Sequence, residues 1–298
     1  MAAAETADAF ARGAALVETA AASGHADAAC MLATLEAIGA GRRQDWSRAF
    51  DCLELAADLG SVHARAQLRL LAGADNDIAD SAAGPLRTRL DIGRLLRAPD
   101  PIAVSESPRI RVFQGFATPA ECRWVIDRLR PRLGPAMVWD DATGRGKVDP
   151  VRSNSAVELR LPEMDVVTEL LRARISAATR LPEAIFEVPQ VMQYSVGQEF
   201  RPHHDFLDPQ QAGPAADIAR RGQRIGSFLI YLNEDFEGGE TAFPRTGFSF
   251  RGRTGDALFF TNVTRDGRPD PLTLHAGLPP IRGEKWIFSQ WIRDRPPG

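Results

Sequence analysis

His203 and Asp205 stand two positions apart in the stretch Tyr194-Ser195-Val196-Gly197-Gln198-Glu199-Phe200-Arg201-Pro202-His203-His204-Asp205. In an extended segment, side chains at i and i+2 leave the same face of the backbone, so an imidazole and a carboxylate at this spacing can grip one ion. His204 then points the other way. A third ligand has to arrive from a distant strand. Among five histidines the best candidate is His275, seventy residues beyond Asp205 in Leu272-Thr273-Leu274-His275-Ala276-Gly277. Two imidazoles and one carboxylate leave three adjacent coordination positions open, the facial geometry that suits non-haem Fe(II) and O2 chemistry.

Ten residues after His275 comes Lys285, directly before Trp286. A 2-oxoglutarate cosubstrate chelating such an ion through its C1 carboxylate and C2 keto oxygen would need a buried cation for its far carboxylate, and Lys285 can supply that point charge. Taken alone, a lysine at such a place is more often a surface residue.

The elements that must hold these residues fit into 298 residues, enough for one large domain or two ordinary ones. Hydrophobic residues at 44% and charged residues at 25% match a water-soluble globular chain. A net charge of −3 gives no bulk attraction to nucleic acid or to an anionic membrane, so neither is expected as a partner. Three cysteines without a CxxC pair argue against a disulfide framework. The acidic N-terminus lacks the basic region of a secretory signal, and no stretch approaches the ~18 apolar residues of a membrane span. A cytoplasmic location is therefore expected.

Residues 9–73 are rich in Ala and Leu, lack proline and repeat with a period of 36: Ala20-Ala21-Ala22-Ser23-Gly24 aligns with Ala56-Ala57-Asp58-Leu59-Gly60, and Ala28 and Leu32 with Ala64 and Leu68. They resemble Sel1-like repeats, relatives of tetratricopeptide arrays, which implies either docking of a protein or peptide partner or a scaffold for the catalytic part of the chain. Residues 74–107 read as a connector with turns and a short helix over 85–96. From 108 the character changes. Thr118-Pro119-Ala120-Glu121 predicts a capped helix start, and a second helix is expected over 162–179. Asp140 to Pro150 and Asp208 to Arg221 read as polar loops. After Val188, six runs rich in Val, Ile, Phe and Tyr alternate with Gly and Pro turns. The predicted class is α+β: a C-terminal jelly roll (double-stranded β-helix) with supporting helices over 108–295, preceded by a small all-α segment.

Four blocks carry a resemblance: Tyr194-x-x-Gly197-Gln198-x-Phe200-x-Pro202-His203-x-Asp205, Gly238-Gly239-Glu240-Thr241-x-Phe243-Pro244, Leu274-His275-Ala276-Gly277 with Pro279, and Gly283-x-Lys285-Trp286 with Trp291-Ile292. In this order and spacing they resemble the prolyl 4-hydroxylase family of Fe(II)/2-oxoglutarate dioxygenases. The resemblance implies Fe(II) on His203, Asp205 and His275, and the C5 carboxylate of 2-oxoglutarate on Lys285. It also places the Tyr194 hydroxyl against that cosubstrate. Thr241 either adds a hydroxyl there or follows from the Gly-Gly turn. Trp291 fits a wall on the substrate side and plain core equally well. Arg152 matches a family arginine with a substrate role, although the run after it, Ser153-Asn154-Ser155, has Asn where the family usually has Ser.

The implied reaction uses O2 and converts 2-oxoglutarate to succinate while hydroxylating an unactivated C–H, with L-ascorbate as supporting reductant. A prolyl residue of a protein or peptide is the leading substrate. The alternatives are a free amino acid or small metabolite, or a non-catalytic module that senses metal or 2-oxoglutarate. Replacing His275 is expected to stop turnover without unsettling the fold, because a ligand at a barrel mouth need not pack the core.

Overall fold

The computed structural model describes residues 2–74, 83–140, 145–148 and 151–296. Helices come first: α1 (Ala2–Ala22), α2 (Ala26–Ile38), α3 (Trp46–Asp58), α4 (Val62–Leu71), and the short α5 (Ala83–Arg87) and α6 (Ile92–Leu95). The 36-residue period reappears bond for bond in their turns. Gly24 and Gly60 take positive φ, 89° and 98°. His25 N donates to Ala20 O and Ser61 N to Ala56 O, while Gly24 N donates to Ala21 O and Gly60 N to Ala57 O. Each left-handed glycine closes one helix and lets the chain turn into the next.

Strands then alternate with helices: β1 (Ile102–Glu106), β2 (Arg109–Phe113), α7 (Pro119–Leu129), β3 (Gly134–Pro135), β4 (Met137–Asp140), β5 (Arg145–Val148), β6 (Ser155–Glu158), α8 (Val166–Thr179), β7 (Gln190–Tyr194), β8 (Phe200–His203), α9 (Ala212–Arg221) and β9 (Arg224–Tyr231). The remainder is β10 (Phe236–Gly238), β11 (Thr241–Phe243), β12 (Phe248–Phe250), β13 (Ala257–Thr261), β14 (His275–Gly277), β15 (Pro280–Gly283) and β16 (Lys285–Arg293). The capping box expected at Thr118 closes α7 in full: Glu121 N donates to Thr118 Oγ1 at 3.2 Å and Thr118 N to Glu121 Oε2 at 2.7 Å.

The chain divides into two compact units, residues 1–97 with 164–177, and residues 98–163 with 178–298. Helix α8 therefore groups with the helical unit, although it lies in the middle of the strand-rich sequence. Two long-range bonds account for this: Val166 N donates to Gln67 Oε1 at 3.0 Å and Arg174 Nε to Leu95 O at 3.0 Å. The first satisfies a backbone donor at the start of α8 that the helix itself leaves open.

In the second unit an eight-stranded sheet runs β1-β2-β13-β9-β16-β7-β6-β3, and a four-stranded one runs β12-β11-β14-β8. From β7 to β16 the chain passes back and forth between the two: β7, β9, β13 and β16 lie in the first, β8, β11, β12 and β14 in the second. This is the winding of a jelly roll. The inner core draws on both sheets, with Met192, Tyr194, Leu229, Tyr231, Leu258, Phe260 and Ile287 meeting Phe243 and the half-buried Phe200, Phe248 and Phe250. The opposite face of the large sheet is also covered: Phe228 packs 5.5 Å from Phe113 and 4.8 Å from Phe116, ring centre to ring centre. Burial on both faces explains why β9 reads as one apolar run instead of alternating.

Four expectations change. Asp140 to Pro150 is partly a hairpin, β4 on β5 with Met137 opposite Val148; residues 141–144 and 149–150 lie outside the described residues. Asp208 to Arg221 carries helix α9, with Pro214 in its first turn and Gly222 at φ 81° after its end. The connector 74–107 contains β1, which pairs with β2. The distant strand expected to carry His275 starts only at that residue, because Pro271–Thr273 before it forms a 3-10 turn capped by Asp270, whose carboxylate accepts from Leu272 N at 3.0 Å.

Candidate metal and cosubstrate site

Strand register brings the candidate ligands together. In the β14–β8 pair, His275 lies directly opposite His203, and their rings sit 4.3 Å apart. Asp205 follows two residues after His203, and the ligand atoms of all three lie within 4.8 Å of one another. His203 Nδ1 donates to Arg201 O at 2.8 Å and His275 Nδ1 to Thr273 O at 2.9 Å. A carbonyl can only accept, so both Nδ1 atoms carry a proton and the Nε2 atoms are the ones turned toward Asp205. His203 Nε2 is 3.5 Å from Asp205 Oδ1 and His275 Nε2 is 3.6 Å from Asp205 Oδ2.

The charges suit a cation. Burial pushes the Asp205 carboxyl up, but His275, His203 and Ser227 together outweigh it and hold the group well below the usual carboxylate range. Burial, reinforced by His203, lowers His275 to about 4, so its ring is neutral near pH 7. An ionised Asp205 and a neutral His275 are protonation states a divalent metal requires. His203 is further held by Phe200, stacked on it at 3.5 Å with the planes 12° apart.

A second pair of strands positions the cosubstrate candidates. Lys285 lies opposite Tyr194 in the β16–β7 pair, and its Nζ sits 5.0 Å from the Tyr194 ring centre and 5.5 Å from that of Tyr231. Burial pushes the ammonium down to about 7, with Glu240 opposing. Triad, Lys285, Tyr194 and Thr241 line one cavity with Met192, Leu229, Ile287, Ser289 and Trp291. A wider cleft of about 680 Å³ bordered by Arg123, Asn233 and Trp286 holds none of the candidate site residues.

Two hydroxyls in this cavity differ in what they can offer. Tyr231 Oη donates to Phe250 O at 2.8 Å and lies 2.8 Å from Thr241 Oγ1. With the one Tyr231 proton committed, Thr241 donates to Tyr231 and keeps only acceptor capacity. Among the described residues the Tyr194 hydroxyl has just the Met192 sulfur, at 3.6 Å, and is the better donor to a carboxylate. Gly277 makes room for it: a Cβ there would lie 3.3 Å from that hydroxyl oxygen.

The two substrate-side candidates part company. Trp291 lines the cavity, with the Arg224 guanidinium 3.7 Å from its ring centre. Arg224 is itself fixed by Glu187 at 2.6 and 3.0 Å. Arg152 is not among the cavity-lining residues. It is buried, 5.0 Å from the Phe200 ring centre, and donates to Asn154 Oδ1 and Gln190 Oε1, each at 3.0 Å. The Asn that departs from the family pattern is thus a partner of the arginine before it.

Sequence reasoning missed Ser227, Asn262, Arg224 and Glu187. Ser227 Oγ donates to Asp205 Oδ2 at 2.5 Å, and Asn262 Nδ2 donates to Ser227 Oγ at 3.0 Å. Nothing in the text of β9 or the residue after β13 signals these contacts, because they join three segments far apart in the sequence.

A family profile described as the 2OG-Fe(II) oxygenase superfamily matches residues 189–293. Prolyl 4-hydroxylase 1 of Arabidopsis thaliana is 34% identical over 209 residues, which covers 65% of this chain and 72% of that protein. The chain belongs to the prolyl 4-hydroxylase family of 2OG-Fe(II) oxygenases. Prolyl 4-hydroxylase 5 of the same plant is 35% identical and covers 63% of this chain and 69% of its own length. Among solved structures, the viral collagen prolyl hydroxylase of Paramecium Bursaria Chlorella virus-1 in its 2OG complex is similar, with 27% identity and a TM-score of 0.48 over 64% of this chain and 98% of that one. As a member of this family the chain is a dioxygenase dependent on Fe(II), 2-oxoglutarate and O2. Two imidazole nitrogens beside one ionised carboxylate form a donor set that fits the metal, and the buried lysine in the same cavity fits its dicarboxylate.

Proposed function

We propose that this enzyme hydroxylates a prolyl residue in a protein or peptide, with His203, Asp205 and His275 holding Fe(II). Lys285 and Tyr194 receive the C5 carboxylate of 2-oxoglutarate, Lys285 as the charge and Tyr194 as the hydroxyl donor. When bound at this site, iron and 2-oxoglutarate would supply O2 activation and oxidative decarboxylation to succinate. The protein's own residues do the rest. Nδ1–H bonds to backbone carbonyls orient both imidazoles, Phe200 holds His203 flat, and the apolar lining of Met192, Leu229 and Ile287 keeps water from the reacting centre. Trp291, braced by Arg224, walls the side from which a pyrrolidine ring would enter, and Arg152 steadies Phe200. The observation that carries this reading is the register of β14 on β8, which sets His275 opposite His203 with Asp205 alongside.

Similarity to relatives named prolyl 4-hydroxylases supports a peptidyl proline over a free amino acid. The helical unit is the part we assign to recruiting a protein substrate. The test is anaerobic titration with Fe(II) and 2-oxoglutarate, followed by O2 and a set of proline-containing peptides alongside free proline. A visible charge-transfer band that decays with succinate release, and hydroxyproline in a peptide, is the expected result. Hydroxylation of free proline alone would overturn the substrate assignment, and absence of the band at saturating ligand would overturn the site.

A further inference from the structure

We propose that Asn262 and Ser227 are positioning residues for the metal site, a two-step hydrogen-bond relay that fixes how Asp205 meets the ion. The inference rests on the triad as the metal site and adds two residues that no motif contains.

The direction of the relay follows from its end. A metal-binding carboxylate only accepts hydrogen bonds, so the single Ser227 proton goes to Asp205 Oδ2, 2.5 Å away. Ser227 Oγ must then accept, and Asn262 has to present its NH2 side, at 3.0 Å. That choice leaves Asn262 Oδ1 buried with no hydrogen-bond partner among the described residues. Both residues are fully buried. Turning the amide over would give Oδ1 nothing to accept from, since the serine proton is already taken. A buried orphan acceptor works against folding, so the asparagine is a poor choice for the core and a sensible one for the metal. With Oδ2 held by Ser227, the carboxylate plane is set and Oδ1, the oxygen facing His203, is left for the ion.

The two roles predict opposite outcomes for Asn262→Leu. A residue that merely fills the core would lose stability on replacement. A positioning residue with an orphaned oxygen should keep or gain melting temperature while metal binding weakens. The full-length protein is titrated anaerobically with Mn(II), followed by electron paramagnetic resonance, and with Fe(II) plus 2-oxoglutarate, followed by its visible band. Asn262→Leu and Ser227→Ala are expected to weaken Mn(II) binding roughly 10- to 100-fold and to shift the band, and Ser227→Thr to restore both. If the wild type binds metal but both variants bind it equally well with an unmoved band, the relay is overturned while the triad stands. If the wild type binds no metal, the triad itself fails and the relay with it. Should Asn262→Leu not fold, Ser227→Ala decides by the same criteria.

Discussion

Lys285 is 1% exposed, and its ammonium rests over two tyrosine rings, so burial lowers its pKa to about 7. Its folded value lies below its ordinary one, so the unfolded chain binds the extra proton between about pH 7 and the ordinary lysine value. Stability of the ligand-free protein should therefore rise with pH across that window and level off at its ends. A carboxylate arriving beside the lysine reverses the balance and raises its pKa. At about pH 8, 2-oxoglutarate binding is expected to take up close to one proton, seen as different calorimetric heats in two buffers of unlike ionisation enthalpy. Equal heats would rule it out. Lys285→Met should abolish the uptake and raise the 2-oxoglutarate KM by at least about 100-fold, the loss of a buried charge-assisted contact, while Mn(II) affinity stays near wild type. His275 departs from expectation. It is buried, with its ring 4.7 Å from Phe260 and 5.7 Å from Phe243, so it packs the core as well as facing the triad. His275→Ala should abolish turnover and also lower stability by about 1–3 kcal/mol, read from a urea melt.

At the scale of elements, the site depends on where β16 begins. Gly283 turns the chain from β15 into β16 with φ 74°, and a Cβ there would stand 2.3 Å from Asp235 O. Backbone cannot move aside as a side-chain tip can. Gly283→Ala is expected to cost about 2–4 kcal/mol and, by shifting Lys285 two residues on, to raise the 2-oxoglutarate KM more than it changes metal affinity. A variant as stable as wild type in chemical denaturation would contradict this. The motif Gly283-x-Lys285-Trp286 thus states a turn together with the lysine proposed for the cosubstrate. Elements were legible where their signals are local: the Thr118 capping box, the paired glycines at 24 and 60, and the apolar strands. They were not legible where long-range pairing decides. The hairpin at 137–148 has too many turn-formers to read as strand, and α9 hides behind charged residues that solvate one face.

For the whole molecule, the assignment of α8 to the helical unit has a direct consequence. A chain starting at Ala98 would keep residues 164–177 but lose Gln67 and Leu95, which satisfy Val166 N and Arg174. Its buried apolar face, with Val167, Leu170 and Leu171, would be stripped of the helices it groups with. Such a truncation should expose 164–177 to limited proteolysis at rates far above the full chain, and equal resistance would show α8 to be self-sufficient. Residue types and spacing, with the family resemblance they carry, pointed to the chemistry proposed for this protein: His-x-Asp and a distant His for a metal, a Lys before Trp286 for a dicarboxylate, and an all-α segment followed by a jelly roll. Those signals are local periods and short motifs, which a chain carries in one dimension. What only the tertiary structure decided is which groups close on one another across strands: His275 opposite His203, Lys285 opposite Tyr194, Ser227 and Asn262 behind Asp205, and α8 with helices nearly a hundred residues before it. Register, burial and hydrogen-bond direction are set by packing between segments far apart in the sequence, and no local pattern encodes them.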